Sequence, residues 1–537
     1  MQTRKGIVAF SLFLAGFWAL LAGALLAKGG FYIGKHEGDT IHLADLVLRQ
    51  AAGEWAHLDY MTPIGVLATA PMAFFAAQGM GLGMSILAAQ AAVGALLLVP
   101  IWWIGVTRLQ AGWAMLYGAI CLVMTMALVH GEPLPGISIS MHYNRWAWVL
   151  SFLAIATVLL PPQGRGTGRA GRVADGLILG LCVAGLALIK VTYVAAFLPA
   201  ILAGLLIRRD WRALKTALVA GLLVILLLTI LAGPGFWLAY FGDMISVATE
   251  GDRLYPQASL TGVIIAPAYL GGSFLAIFSV ILLRQCGRQE EGLILLLLVP
   301  GFFYATFQNF GNDPQWMYLL GVLMLALRPE PGVENGWGWN MRLAVTLAAC
   351  AAFALSLPSA LNLTFSPFRH LALNPAEYDL LLPAKPEHDD IFFAKERNER
   401  PYGEISRPLA GADLEDPPVM LLGEQLPVCA LERGTVTYLD AVGREIEAAG
   451  FAGRAIYHAD LMSGIWLFGD FQRLHGAAPW RYSGLPGFEE AEFLLVSFCP
   501  IVRVSRDGIL SEVAKTGVGL AEVYRGDDFL LLEIQRP

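Results

Sequence analysis

The chain has 537 residues, of which 56% are hydrophobic and only 15% charged, with a formal net charge of −7. Such a composition excludes an ordinary water-soluble globular protein, in which about 25% of residues are charged. Residues 1–362 carry 20 basic and 16 acidic residues, whereas residues 363–537 carry 16 basic and 27 acidic residues, and this acidic C-terminal part argues against nucleic acid as a partner.

The first predicted element is an N-terminal membrane anchor. Arg4 and Lys5 precede an apolar run that continues to Ala27. The run has about 20 apolar residues, whereas the apolar region of a secretory signal usually has about 7–15. An uncleaved membrane anchor is therefore favoured over a cleaved secretory signal. Basic residues before the span predict a cytoplasmic N-terminus and place the following loop outside.

The loop at residues 28–62 is mostly polar and separates two apolar runs. Its ionisable residues include Glu37, Asp39, His42, Asp45, Arg49, Glu54, His57 and Asp59. The spacing of apolar residues in 39–53 predicts an amphipathic helix lying along the membrane interface. Asp39 would stand at the N-terminus of that helix, where a carboxylate is favoured, so a plain helix cap is the alternative to a functional role.

Eleven apolar segments predict membrane spans, because a span needs roughly 20 mainly apolar residues. They are 8–27, 85–106, 112–129, 146–160, 176–189, 193–207, 214–232, 261–283, 291–307, 315–327 and 341–361. Loops rich in Lys and Arg at 165–172, 208–215 and 284–288 are expected on the cytoplasmic side. If the segment 63–78 also crossed the membrane, the basic loops would no longer all lie on the cytoplasmic side. The segment is therefore either a partly inserted helix or a true span that replaces one of the later short segments. We therefore expect eleven to thirteen membrane helices.

Lys190 interrupts the long apolar stretch 176–207. If the basic loops on both sides are cytoplasmic, the chain crosses twice and turns near Lys190, which then lies at the outer surface. The alternative is one long helix from which Lys190 extends toward the interface. The hairpin is favoured because, with two crossings in this stretch, the eleven spans leave all the basic loops on the cytoplasmic side.

The C-terminal third is predicted to be a separate domain. The sequence divides into a membrane domain at 1–362, a linker at 363–418 and an α/β domain at 419–537, which an odd number of crossings places in the periplasm. Strands are predicted at 419–422, 493–498, 520–524 and 529–534, and helices at 435–449 and 503–515.

Cys429 and Cys499 form a disulfide or remain two thiols, and both possibilities stay open. The other four cysteines have no metal-ligand spacing and are expected to be packing residues.

The order of these elements resembles the GT-C superfamily of membrane glycosyltransferases. The features that carry the resemblance are one anchor, a long outer loop with an early Asp39, an interfacial helix, Gly53, then Asp59-Tyr60 and Pro63-Ile64-Gly65. The chain is similar to the lipid-phosphate-sugar users, which include protein mannosyltransferases and the enzymes that add 4-amino-arabinose to lipid A. The resemblance implies a bacterial inner-membrane enzyme with a polyprenyl-phosphate-linked sugar donor and a glycan, lipid or protein acceptor.

The same resemblance assigns a role to Asp39. In that superfamily an acidic residue of the first outer loop is the general base or positions the acceptor, and Asp39 is the matching position. The loop reads Glu37-Gly38-Asp39 where many members have two adjacent acids, which leaves the identity of the base open between these two residues.

Transfer from a polyprenyl phosphate also needs groups that stabilise the phosphate leaving group. Arg145 is a candidate because its fork pairs well with phosphate, and an interfacial anchor is its alternative role. Lys190 and Arg253 are further candidates, since charges at span ends are often functional. The full set of substrate-binding candidates is Glu37, His42, Asp59, His142, Tyr143, Asn144, Arg145, Lys190 and Arg253. The loop with Gln308, Asn309, Asn312 and Asp313 is expected to be a solvated turn rather than a sugar contact.

Metal dependence and two other functional classes remain open. His36, Glu37, Asp39 and His42 leave room for a divalent cation, although a monophosphate donor can be neutralised by Lys and Arg alone. A transporter would share the polytopic architecture, but transporters have repeated halves that this sequence does not show. A non-catalytic scaffold is the third option. Asp39→Ala separates these classes, because a scaffold would tolerate the change.

Overall fold

The structure is a computed structural model that describes residues 3–249, 266–309, 313–398, 406–408, 419–431 and 433–536. The chain divides into two compact units. Unit 1 comprises residues 1–28, 87–233 and 254–372, and unit 2 comprises residues 29–86, 234–253 and 373–537. These units differ from the predicted domains, because unit 2 contains the outer loop together with the C-terminal region.

The described helices are, in chain order, α1 (Arg4–Leu26), α2 (Glu37–Ala51), α3 (Ala70–Ala77), α4 (Leu82–Arg108), α5 (Ala111–Met126), α6 (His142–Leu159), α7 (Arg169–Ile189), α8 (Val191–Ile207), α9 (Trp211–Ala232), α10 (Gly235–Thr249), α11 (Pro267–Gln285), α12 (Gln289–Phe307), α13 (Trp316–Ala326), α14 (Met341–Leu371), α15 (Thr435–Ile446) and α16 (Arg503–Thr516). The strands are β1 (Phe31–Ile33), β2 (Tyr378–Leu380), β3 (Ile391–Ala394), β4 (Ser406–Pro408), β5 (Met420–Leu421), β6 (Glu424–Gln425), β7 (Cys429–Leu431), β8 (Ile456–His458), β9 (Phe493–Ser497), β10 (Gly519–Arg525) and β11 (Phe529–Gln535).

Apolar helices dominate unit 1. Each of the eleven predicted spans corresponds to one helix of the structure, from α1 to α14. Within the described ranges, seven helices are long and apolar enough to cross a membrane, and α5, α8 and α13 are shorter apolar helices. The prediction of a polytopic α-helical membrane protein with a C-terminal α/β region is confirmed. The total of eleven to thirteen crossings stays a prediction. The longest helix in the segment 63–78 is the eight-residue α3, which at about 1.5 Å per residue is too short to span a bilayer.

The chain breaks its helix at Lys190. Helix α7 ends at Ile189 and α8 begins at Val191, while Lys190 itself is extended, with φ −158° and ψ 106°. A continuous helix over 169–207 would be about 58 Å long, roughly twice the hydrocarbon thickness of a bilayer. The break therefore excludes the single-helix alternative and leaves two helices of ordinary length.

A buried ion pair fixes α7 to α4 inside unit 1. Arg108 Nη2 lies 2.6 Å from Asp175 Oδ2, and the side chains are 1% and 2% exposed. Trp103 Nε1 donates to the other carboxylate oxygen at 2.8 Å. Removal of one partner of such a pair leaves an uncompensated buried charge, at a cost of about 3–5 kcal/mol. The pair therefore links α4 and α7 through their side chains.

A four-stranded sheet forms the core of the C-terminal part of unit 2. Its order is β10-β11-β9-β8, in which β8 is parallel to β9 and the other pairs are antiparallel. Leu494, Val496 and Leu532 of the sheet pack with Ile509 and Val513 of α16 in one buried cluster. The strands and helices predicted between 419 and 534 are all present, with bounds that differ by a few residues.

A second sheet contains part of the predicted linker. Its order is β1-β3-β2, and β1 pairs in parallel with β3, Phe31 opposite Ile391. Asp390, next to β3, accepts hydrogen bonds from the N–H groups of Gly83 and Met84 at 2.9 and 2.7 Å, so it satisfies the free donors at the start of α4. Residues 363–371 continue α14. The linker prediction relied on prolines and polar composition, and strands of three or four residues are too short to alter that pattern.

Cys429 and Cys499 form a disulfide in unit 2, which resolves the alternative that the sequence left open. The sequence separation is 70 residues. A loop of that length is expected to stabilise the folded chain by roughly 3–4 kcal/mol, because the bond restricts the unfolded ensemble. Among the remaining cysteines, Cys121 and Cys182 are buried as expected, whereas Cys350 is exposed on α14.

The bond between Cys429 and Cys499 is expected to stabilise the folded chain. Cys429→Ala with Cys499→Ala is expected to lower the free energy of unfolding by roughly 3–4 kcal/mol, measured by denaturant unfolding of the full chain in detergent. The wild-type protein in reductant serves as the matched control and should approach the variant. Equal stability of the variant and the oxidised wild type would contradict the prediction.

Candidate functional site

Lys190 is the centre of a polar cluster in unit 1. Its Nζ donates to Asn144 Oδ1 at 3.0 Å and to Asn309 Oδ1, and it lies 5.3 Å from the centre of the Tyr143 ring. Tyr143 and Asn144 belong to the first turn of α6 and Asn309 follows the end of α12. The ends of three helical segments therefore meet at one ammonium group.

The partners of Lys190 are themselves buried. Asn144 is 0% and Asn309 2% exposed, so the solvated-turn interpretation of Asn309 is wrong. Asn309 Nδ2 donates to the Tyr193 hydroxyl at 3.4 Å. Asn144 Nδ2 has no hydrogen-bond partner among the residues that the structure describes. An unsatisfied buried donor costs about 1–3 kcal/mol, and this N–H stands on the side chain whose oxygen binds Lys190.

Arg145 has a different role from the one expected. It is fully buried, and its two terminal nitrogens donate to the carbonyl oxygens of Ala127, at 2.8 Å, and Val129. These contacts fasten the segment after α5 to α6, so neither a phosphate fork nor an exposed interfacial anchor describes them. Neighbouring helix positions point about 100° apart, which explains why Asn144 contacts Lys190 and Arg145 does not. His142 is buried against the rings of Tyr143 and Trp146, at 5.5 and 5.0 Å.

Asp39 lies in the first turn of α2, in unit 2. The helix begins at Glu37 and its cap position is His36, with φ 60°, so Asp39 is the third helical residue and not the cap. The helix dipole still favours a carboxylate there. Glu37 is 6% exposed and binds the guanidinium of Arg397 through both oxygens, at 2.9 and 3.1 Å. Of the two acids in Glu37-Gly38-Asp39, Asp39 is the more accessible, being half-buried.

The remainder of α2 is more buried than an amphipathic surface helix. Eleven of its fifteen residues are buried, including Arg49, whose guanidinium binds Asp45 at 2.6 Å and Glu54 at 2.9 Å. The helix was predicted from its apolar spacing. Its charged residues were expected on an exposed face, whereas Asp45 and Arg49 form a buried ion pair within the helix and Glu37 pairs with Arg397.

Asp59 and Arg253 were also predicted to bind substrate. Asp59 Oδ2 accepts from the backbone N–H of Trp55 at 2.6 Å, so its described contact closes a turn. Its Oδ1 lies 3.8 Å from His475 Nδ1. Arg253 lies outside the described residues. Within the described parts of the chain, no group of three or more His, Cys, Asp or Glu side chains is placed to hold a metal ion.

Sequence reasoning missed helix α10 and its Asp243. Asp243 Oδ2 accepts from the backbone N–H of Thr62 at 3.1 Å and lies 2.8 Å from His57 Nδ1. The buried residues Phe236, Tyr240 and Val247 have helical spacing, and that spacing was the available signal. It was overlooked because the segment follows directly on the apolar α9.

His42 makes the stability of unit 2 dependent on pH. Burial lowers the pKa of His42 to about 4, whereas an unfolded histidine titrates near 6.5. The unfolded chain therefore binds a proton that the folded chain does not, between these two values. The contribution is fully present above pH 6.5, and about 3 kcal/mol is lost as the pH falls to 4.

The test compares wild type with His42→Gln. Unfolding of the full chain should lose less stability between pH 7 and 4.5 in the variant, because the other titrating groups are common to both. Parallel pH profiles of the two proteins would overturn the assignment to His42.

The chain was compared with protein families, curated proteins and solved structures. No family model matches it, and no curated protein matches it. Among solved structures it is similar to ArnT from Cupriavidus metallidurans in the apo state, with a TM-score of 0.40 and 11% identity, over 98% of this chain and 97% of that one. It is also similar to the same ArnT bound to undecaprenyl phosphate, with a TM-score of 0.38 and 10% identity, over 99% and 98% of the two chains.

Proposed function

We propose that the chain is a bacterial inner-membrane glycosyltransferase that moves a sugar from a polyprenyl-phosphate carrier to a periplasmic acceptor. The acceptor is a glycan, a lipid or a protein. The observation that carries the proposal is the Lys190 cluster, in which an ammonium group is held at a break between two apolar helices. Charges in such positions are expensive and mark binding pathways.

The cluster offers the donors that a lipid phosphate requires. The Lys190 ammonium binds the amide oxygen of Asn144, and the amide N–H of the same side chain is the second donor. The Tyr143 ring and the Asn309 oxygen restrict the ammonium to one position. Preorganised donors of this kind stabilise a phosphate leaving group as its negative charge develops.

Asp39 supplies the catalytic carboxylate in this proposal. Its carboxylate removes the proton from an acceptor hydroxyl or positions that hydroxyl. The acceptor oxygen forms a bond to the anomeric carbon, and the bond from that carbon to the phosphate oxygen breaks, so that polyprenyl phosphate leaves with the electron pair. One displacement of this kind inverts the anomeric configuration. The half-buried position of Asp39 in the first turn of α2 and the resemblance to lipid-phosphate-sugar users support this role.

The experiment is photocrosslinking of the purified full chain with a diazirine analogue of polyprenyl phosphate in nanodiscs. Saturable labelling is expected on peptides that contain residues 142–146 or 190–193, with competition by unlabelled polyprenyl phosphate. A lipid with the same chain and a neutral headgroup is the control. Labelling that does not saturate, or that the neutral lipid removes equally well, would refute the donor assignment.

A further inference from the structure

A cavity of about 400 Å³ lies within unit 2, lined by residues of α2, α3 and the C-terminal part of the chain. One wall is apolar and consists of small residues of α2 and α3, among them Ala51, Ala76 and Ala77. The other wall carries Lys385, Trp466 and Arg473. This volume is in the range that holds a small organic molecule.

Trp466 holds the two cations of this cavity in place. The Lys385 ammonium lies 5.7 Å and the Arg473 guanidinium 5.4 Å from the centre of its ring. The buried Arg49 lies 5.8 Å from the same ring. Each contact is a cation–π interaction, so the indole positions positive charge along one side of the cavity.

The same indole carries a donor that the protein does not use. Trp466 is 8% exposed, and its Nε1 has no hydrogen-bond partner within the described part of the chain. His388, which also lines the cavity, has a buried Nδ1 in the same condition. Buried polar groups are normally satisfied, and the indole N–H, which can only donate, therefore points to a ligand with an oxygen acceptor.

The charge of the lining favours an anion. Lys385 and Arg473 are opposed in the lining by the one carboxylate of Glu387, which is exposed. Arg473 Nε also lies 3.4 Å from Glu54, and Lys385 donates to the carbonyl oxygen of Gly469 at 3.1 Å. These contacts use part of each donor set, and a guanidinium with five N–H groups and an ammonium with three keep others for a ligand.

We propose that this cavity binds an organic phosphate monoester, with its phosphate between Lys385 and Arg473 and its carbon skeleton against the alanine wall. Phosphate accepts hydrogen bonds from the guanidinium, the ammonium and the Trp466 N–H together. The ligand is either a free sugar phosphate or the headgroup of a phosphorylated membrane lipid, and the chemistry that recognises both is the same. This site goes beyond the proposed transfer reaction, because it uses neither Asp39 nor Lys190.

The test measures binding of radiolabelled glucose 6-phosphate by equilibrium dialysis, with the full chain in phosphatidylcholine nanodiscs. Lys385→Gln and Arg473→Gln are each expected to weaken binding about 10-fold or more. Trp466→Phe keeps an aromatic ring beside the two cations and removes the N–H, so it should weaken binding about 3–5-fold. Lys395→Gln is the matched control, because Lys395 is an exposed lysine of the same unit outside the cavity lining, and it should leave binding unchanged.

A second arm adds phosphatidic acid to the nanodiscs. Displacement of glucose 6-phosphate identifies the lipid headgroup as an occupant, and unchanged binding identifies the soluble phosphate. Retention of phosphatidic acid on the purified chain is measured by native mass spectrometry for the same variants. Thermal unfolding establishes that each variant is folded. The proposal is overturned if neither ligand's binding depends on Lys385 and Arg473.

Discussion

Asp39→Asn is expected to lower the rate of sugar transfer by about 10²–10⁴-fold, with little change in donor binding. An amide has nearly the same shape as a carboxylate but cannot take the acceptor's proton, and general-base catalysis contributes a factor of this size. The measurement is release of polyprenyl phosphate from a labelled polyprenyl-phosphate sugar by the full chain in nanodiscs. Binding of the donor is followed separately by crosslinking.

Two further variants make this result specific. Asp389→Asn removes an exposed carboxylate of the same unit and should leave transfer unchanged. Asp39→Glu keeps the charge and should retain part of the activity if the residue acts as a base. If a folded Asp39→Asn protein transfers sugar at the wild-type rate, Asp39 is not the base. Glu37, whose carboxylate binds Arg397, is then the next candidate.

Lys190→Met is expected to weaken binding of polyprenyl phosphate about 100-fold. A charge-assisted hydrogen bond contributes about 1.5–3 kcal/mol, and 100-fold corresponds to about 2.7 kcal/mol. Methionine fills the space of the lysine stem, and the loss should therefore appear in affinity. The measurement is competition of unlabelled polyprenyl phosphate against the photoactivatable analogue.

Matched variants separate binding from folding. Lys215→Met removes an exposed lysine near the start of another apolar helix, α9, and should not change the affinity. Arg145→Met is expected to lower thermal stability, because the Arg145 guanidinium holds the backbone carbonyls of Ala127 and Val129. If Lys190→Met folds and binds the carrier as tightly as the wild type, the phosphate role of Lys190 is wrong.

The positions of the apolar helices were predictable because length and hydrophobicity determine them almost alone. The break at Lys190 is an example, since a charge in the middle of the 32-residue stretch 176–207 is costly unless a helix ends there. The C-terminal strands also followed from local patterns, such as the hairpin of β10 and β11 around Arg525 to Asp528. These elements depend mainly on residues that are close in the sequence.

The contacts of the candidate residues were not predictable in the same way. Asn309 meets Lys190 across 119 positions of the chain and Arg397 meets Glu37 across 360, and no local pattern reports such distances. Arg145 stands next to Asn144 in the sequence but points to a different neighbour. A single sequence indicated which residue types were available for phosphate chemistry, and the packing of helix ends determined which of them meet.

The parallel pairing of β1 with β3 has a consequence for the order in which the protein is made. Phe31 leaves the ribosome long before its partner Ile391, and at about 5–20 residues per second this interval is roughly 20–70 s. During that time the following helix α2, with its ion pairs and buried leucines, has been synthesised without the strand and the C-terminal residues that cover it. Nascent α2 therefore requires temporary shielding, by a chaperone or by the lipid headgroups, until β3 and the C-terminal residues have been synthesised.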